Sequence, residues 1–187
     1  MRIVGGSLRG QKILSPLDKS TRPLKDLVRE SIFNILEHSK NEYVKISKSK
    51  ILDLFSGSGS FGIECLSRGA EKVIFFENYP SAIEILKKNI SKLNLKNKSK
   101  IFEENAYNIN KINFNLKSFD LIFIDPPFKQ ININKLILEI KNSKIINKKT
   151  LIILHRNKKI SENISDDLEI LREKNYGLSK IIFSKLI

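Results

Sequence analysis

Phe119-Asp120-Leu121-Ile122-Phe123-Ile124-Asp125-Pro126-Pro127-Phe128 is the stretch that decides the fold. A strand covered on both faces of a parallel sheet is apolar almost without interruption, and Leu121 to Ile124 has that character. Two prolines follow, and because they donate no backbone hydrogen bond and fix φ, they stop the strand abruptly. What remains is a rigid edge carrying the Asp125 carboxylate, the carbonyls at Pro126 and Pro127, and the ring of Phe128. Open α/β sheets bind ligands at the carboxyl ends of their strands. An acceptor-rich edge beside an aromatic ring suits a planar group bearing an NH2, such as a nucleobase. The plain alternative is a strand that ends in an ordinary proline turn.

Upstream lies a second strand and loop. Lys50 to Phe55 reads as a strand, Ser56 to Gly62 as a glycine loop, Ile63 to Arg68 as a helix, and Gly69 as its stop. Glycines permit a tight turn and a close backbone approach to a ligand, and a helix N-terminus offers unpaired N–H groups. Val73 to Phe76 is the next strand and ends in Glu77, about twenty residues beyond the first loop glycine, the spacing at which a carboxylate meets a ribose diol. Pro80 opens a helix with Ile83, Leu86, Ile90 and Leu93 inward. Lys100 to Glu104 is a third strand ending at Asn105-Ala106, where a side-chain amide could read a base edge. After the Asp125 strand come a helix (Asn134 to Lys141), a strand (Leu151 to Leu154), and an antiparallel hairpin, Leu168 to Arg172 with Lys180 to Leu186. This alternation means an α/β fold around a mostly parallel sheet.

At the start of the chain, Arg2 to Ile13 has the turn-rich centre and flanking apolar pairs of a small hairpin. Its Arg2, Arg9 and Lys12 make a basic ribbon able to touch phosphates, or a merely solvated edge. Ser15 to Thr21 is a linker. A helix runs from Pro23 to about Ser39 with Leu27, Val28, Ser31, Ile32, Ile35 and Leu36 on one face. Arg22, Lys25 and Arg29 near its start sit at the wrong end for the helix dipole, so a role toward an external anion is open to them. We therefore divide the chain into a basic hairpin and linker at 1–22 and an α/β domain at 23–187.

The 187 residues suffice for one domain with a real core, and the net charge of +14 points to a polyanionic partner, most plausibly nucleic acid. Lys, Asn and Ile are abundant in a way that an AT-rich genome would also produce. Four of the seven arginines fall in the first thirty residues, which codon bias does not explain. One cysteine, Cys65, excludes an intrachain disulfide and fits a reducing compartment. With only His38 and His155 beside it, no metal site is expected. Cys65 reads as core, and the two histidines as ordinary surface or strand-end residues. The absence of a signal peptide or a membrane-length apolar run leads to the expectation of a cytoplasmic protein without a membrane partner.

Gly57, Gly59 and Gly62 satisfy the G-x-G-x-x-G spacing of dinucleotide enzymes, so a nicotinamide oxidoreductase must be weighed. Against it, Asp53 stands just before the loop, where a pyrophosphate would be repelled and a sulfonium or ammonium welcomed. The chain also ends before a second mononucleotide half. S-adenosylmethionine, with a positive sulfur and no phosphate, suits this loop better.

Asp53-Leu54-Phe55-Ser56-Gly57-Ser58-Gly59 followed by Asp125-Pro126-Pro127-Phe128 resembles the amino-group methyltransferases that use S-adenosylmethionine. Arg2-Ile3-Val4-Gly5-Gly6, Leu8-Arg9-Gly10, Thr21-Arg22-Pro23, Asp26, Val28-Arg29-Glu30 and Phe33-Asn34 look like the RsmD family, bacterial enzymes that modify a guanine N2 in 16S ribosomal RNA. Leu24 and Leu27 depart from its usual threonine and arginine. The resemblance implies a Rossmann-like class I methyltransferase with a seven-stranded sheet, of the guanine(966)-N2 type, acting on 16S RNA or the small ribosomal subunit; a monomer is the default expectation. It places the methionine portion of the donor at Phe55, Gly57 and Gly59 with Asp53 near its ammonium, the ribose at Glu77, and adenine at Asn105 and Ala106. Asp125, Pro126, Pro127 and Phe128 become catalytic, and Arg2, Arg9, Lys12, Arg22, Lys25 and Arg29 contact RNA. An adenine-N6 methyltransferase acting on DNA shares the same acid-proline-proline-aromatic edge. A catalytically silent ribosome-assembly protein would not need Asp53, Gly57, Gly59, Glu77 and Asp125 intact.

Overall fold

The computed structural model describes residues 1–15, 26–39, 44–114, 118–127, 132–160 and 164–187. The expected helix start at Pro23, together with Arg22, Lys25 and Phe128, lies outside the described residues, as does the proposed boundary at residue 22.

Seven strands form one sheet, in the spatial order β3-β2-β1-β4-β5-β7-β6. They are β1 (Lys50–Leu54), β2 (Lys72–Phe76), β3 (Ser99–Phe102), β4 (Leu121–Ile124), β5 (Leu151–Asn157), β6 (Leu168–Tyr176) and β7 (Ser179–Leu186). The first five run parallel, and β7 lies antiparallel to both β5 and β6. This is the mostly parallel sheet with a C-terminal antiparallel hairpin that the sequence predicts. Strands β5 and β6 extend further than expected, because antiparallel pairing with β7 continues past the apolar runs.

Period-two alternation sends neighbouring strand residues to opposite faces. Ile51, Phe75, Phe123 and Ile153 join one core with α1 (Asp26–His38), α2 (Ser60–Ser67) and α3 (Pro80–Lys92). Leu52, Ile74, Ile122 and Ile152 join the other with α4 (Ile133–Asn142) and the short 3-10 helix Ala106–Lys111. Both faces are covered, which is why β1 and β4 are apolar almost throughout. Phe33, Phe61 and Phe123 stack in a column, with centroids 5.2 and 3.9 Å apart, and tie α1 to α2 to β4.

Helix α2 begins at Ser60, earlier than the expected Ile63, so Gly62 is helical and not part of the loop. A Cβ there would stand 2.4 Å from the Phe75 ring, so glycine is required for close packing of helix on sheet. Helix α1 is turned by about one position from its expected phase. It buries Val28, Arg29, Ile32, Phe33, Ile35 and Leu36, while Leu27 is 69% exposed.

Residues 1–15 dock on α2 and α3, with Ile3 and Ile13 in the core. Arg2 bridges Lys12 in antiparallel fashion, and Ile3 donates its N–H to the Gln11 carbonyl at 3.0 Å, so the expected hairpin is present in its briefest form. Its anchor is Glu64 on α2, fully buried, which accepts the N–H groups of Val4 (2.8 Å) and Gly5 (2.7 Å). Gly6 could carry no side chain, since a Cβ would meet the Ser67 carbonyl at 2.0 Å. Among the described residues no helix is long and apolar enough to cross a membrane.

Candidate active site

Register brings the site together. Leu54 of β1 pairs with Phe76 of β2 and with Ile124 of β4, and Phe76 pairs with Phe102 of β3. The residues that follow, Phe55, Glu77 and Asp125, therefore emerge side by side at one carboxyl edge. Parallel pairing is what allows two acids far apart in sequence, Glu77 and Asp125, to share it with Phe55. Pro126 is buried and Pro127 exposed beyond Asp125.

The loop after β1 makes its turn with three left-handed residues, Phe55 (φ 59°), Gly57 (φ 54°) and Gly59 (φ 81°). Gly59 caps α2, where a Cβ would strike Leu86 at 2.4 Å, whereas the space over Gly57 is open. Glu77 holds the loop from β2. Its Oε2 accepts the Gly57 N–H at 2.7 Å, and its Oε1 accepts those of Asn78 and Tyr79, each at 2.9 Å. Asn105 caps the 3-10 helix by accepting the Tyr107 N–H through Oδ1 at 3.0 Å, and Ala106 is buried beside it. The amide NH2 of Asn105 is thereby the end of the side chain left to a ligand.

Asp53 is 1% exposed, and its Oδ2 accepts the N–H of Gly62 in the first turn of α2 at 3.0 Å. Burial raises its pKa well above the ordinary carboxylate value, the Gly62 bond opposes that rise, and the charges of Asp125 and Glu77 add to it. Asp53 thus feels the two other carboxylates of the edge. The helix N-terminus, where a dinucleotide pyrophosphate would sit, is already held by a carboxylate of the chain itself. A ligand with a positive centre, a ribose and a base fits this donor and acceptor set, and a pyrophosphate does not. Among the described residues no group of three His, Cys, Asp or Glu side chains could hold a metal ion.

His155 was missed. Of the two places expected for it, it lies not at the surface but on β5, one residue past the expected strand end at Leu154; it is 6% exposed, and its Nδ1 is 2.7 Å from Asp125 Oδ1. Its Nε2 is 2.9 Å from Ser179 Oγ. The strand rule that singled out Asp125 would have found it, because Leu151 to Leu154 is another apolar run that meets a polar residue at its carboxyl end.

Arg29 corrects the RNA-contact expectation. It is fully buried, bonds to the Arg2 carbonyl, pairs with Asp26 at 3.0 Å, and faces Glu64 at 3.6 Å. The rotation of α1 carries it inward, where buried Glu64 compensates its charge. Arg2, Arg9 and Lys12 are exposed on the N-terminal segment.

Comparison with known proteins agrees with this geometry. The family model described as conserved hypothetical protein 95 matches residues 1–185. The protein named Ribosomal RNA small subunit methyltransferase D of Buchnera aphidicola (from Acyrthosiphon pisum) is 36% identical over 178 residues, covering 95% of this chain and 85% of that protein. YlbH of Bacillus subtilis is 31% identical over 188 residues, covering 99% of this chain and 98% of its own. The solved structure of yhhF from Escherichia coli superposes with a TM-score of 0.81 at 26% identity, covering 100% of this chain and 97% of the other. The fold is that of the class I methyltransferases.

Proposed function

Given that this chain belongs to the RsmD family, whose model spans residues 1–185, we propose that it transfers a methyl group from S-adenosylmethionine to the exocyclic N2 of a guanine in 16S ribosomal RNA, on the small ribosomal subunit. The observation that carries this reading is the pairing of Leu54 with Ile124, which sets the acid-proline-proline edge directly beside the glycine loop. The guanine(966) type is the specific form we assign.

The donor would be held by the loop backbone at Phe55, Gly57 and Gly59, with Asp53 toward its ammonium, Glu77 on the ribose hydroxyls, and Asn105 with Ala106 on adenine. It supplies an electrophilic methyl carbon on a sulfonium leaving group, so the hard chemistry belongs to it. The chain's own residues supply orientation and placed charge. An exocyclic amine is a poor nucleophile because its lone pair is delocalised into the ring. Asp125 and the Pro126 carbonyl accept the two N–H hydrogens, which tilts the nitrogen toward sp3 and aims its lone pair at the methyl. As the nitrogen gains the methyl its N–H becomes acidic, and Asp125 takes that proton, so no strong base is needed beforehand. The target base must leave its stack at a cost of a few kcal/mol. Stacking on Phe128 would recover about 1–3 kcal/mol. Pro127 stiffens the edge.

RNA would lie across the exposed Arg2, Arg9 and Lys12, and Arg22 and Lys25 are proposed as further phosphate contacts. Each lost phosphate contact should lower the salt slope of RNA binding by about 0.7–0.9. A double Arg9→Ala, Lys12→Ala variant is expected to show a slope reduced by nearly two such steps, and an unchanged slope would remove them from the interface.

Labelled-methyl transfer from S-adenosylmethionine to small ribosomal subunits, naked 16S RNA and DNA in parallel tests the function. Label in ribosomal RNA as N2-methylguanine is expected. Label in DNA as N6-methyladenine, or none anywhere, would overturn it.

A further inference from the structure

We propose that His155 is a positioning residue for methyl transfer, holding the Asp125 carboxylate in the orientation that meets the substrate amine. The inference rests on the catalytic role given to Asp125 above. It arises from the meeting of three strands. Ile124 pairs with Leu154, so Asp125 and His155 each stand one residue further along parallel neighbours, on the same face of the sheet. His155 pairs with Ile181 in the antiparallel β7, which leaves Ser179 as its diagonal neighbour on that face. The outcome is a line of three side chains, Asp125 Oδ1 to His155 Nδ1 at 2.7 Å and His155 Nε2 to Ser179 Oγ at 2.9 Å.

The hydrogen-bond roles follow from what each group can do. An ionised carboxylate only accepts, so Nδ1 carries the hydrogen. In the neutral ring Nε2 then accepts from the Ser179 hydroxyl, and this second bond fixes the plane of the imidazole. With one carboxylate oxygen held by the ring, the other is the one left for the substrate amine. Asp125 is the only partly exposed member of the line, at 18% of its side chain against 7% for His155, so the support lies behind the reacting edge and not in it. A buried hydrogen-bonded group of this kind, aimed at a catalytic carboxylate, is how a site keeps its geometry before substrate binds.

Misplacing a catalytic group by about 1 Å can cost on the order of 10²-fold in rate. His155→Asn puts an amide N–H close to where Nδ1 lies, His155→Gln places it too far along, and His155→Ala removes it. Steady-state transfer to small subunits, calorimetric donor affinity and thermal unfolding are to be read for all three, for Ser179→Ala and for Asp125→Ala. His155→Ala should lose 10- to 100-fold in kcat, with KM for the subunit and donor Kd within about threefold of wild type. His155→Asn should recover at least tenfold of that loss, and Ser179→Ala should fall between Asn and Ala. Wild-type kcat in His155→Ala, a loss confined to KM, or equal activities for Asn and Gln would overturn the inference. Should His155→Ala fail to fold, the Asn and Gln pair decides alone. Full activity in Asp125→Ala would instead bring down the reading of Asp125 beneath it, whereas an inactive Asp125→Ala beside an unimpaired His155→Ala refutes only the positioning role.

Discussion

Glu77, at the end of β2, accepts the N–H of Gly57, in the loop after β1, at 2.7 Å. One carboxylate thereby sets the loop that would receive the methionine portion of the donor and stands where its ribose would lie. Both of its oxygens already accept backbone N–H groups. An amide could not replace it, since whichever oxygen became NH2 would confront another donor. Glu77→Gln and Glu77→Ala should both weaken donor binding by about 10²-fold, corresponding to the loss of one or two charge-assisted hydrogen bonds at about 1.5–3 kcal/mol each. Calorimetric titration measures this, and a Kd within twofold of wild type would deny Glu77 the role.

Arg29 and Glu64 form a buried pair that anchors the N-terminal segment, and Glu64 also meets Arg68 Nε at 3.0 Å. Breaking a buried pair from one side strands the other charge, at about 3–5 kcal/mol. Glu64→Ala should lower unfolding stability by about that amount, and Arg29→Ala by less, because Arg68 still compensates Glu64. In Arg29→Ala the salt slope of RNA binding should stay at the wild-type value under conditions where the protein is folded. Denaturant titration and salt-dependent RNA binding separate the two, and an unchanged midpoint with a shallower slope would restore Arg29 to the RNA interface.

Asp53 gives the site a pH signature. Burial raises its folded-state pKa above the ordinary 3.8, so its contribution to stability is fully present below the unfolded value and is lost as pH rises through the folded value. A cationic ligand favours the charged form. Donor affinity should therefore rise with pH through the folded-state value and then level off, with protons released on binding. Calorimetry in buffers of different ionisation enthalpy detects that release. Asp53→Asn should bind more weakly and without the pH slope, and an identical slope in the variant would place the titration elsewhere.

The fold was legible because β1, β2 and β4 carry their own punctuation, an apolar run followed by an acid, a glycine or a proline. Asp53, Gly57, Gly59, Glu77 and Asp125 were legible for the same reason, as Asp53 lies just before the end of a strand and the others follow one closely. Arg29 was not, because its fate depends on a small rotation of α1 that lets Val28, Phe33 and Leu36 face the core while Leu27 turns outward. No local spacing encodes that choice, which is made by the column of Phe33, Phe61 and Phe123. His155 was within reach of the same strand-end rule, but its contacts with Asp125 and Ser179 were not legible, because they depend on the register of β4, β5 and β7. Gly5 and Gly6, by contrast, read as turn residues and proved to be the places where the segment lies against α2.

Single-turnover methyl transfer to small ribosomal subunits, comparing wild type with Asp125→Ala and identifying the product after nucleoside digestion, tests the central claim most directly. Expected is N2-methylguanine from the wild type, a rate at least about 10²-fold lower from the variant, and donor affinity nearly equal in the two. Unimpaired transfer by Asp125→Ala would contradict the claim that this carboxylate, held at the end of β4, activates the base for attack.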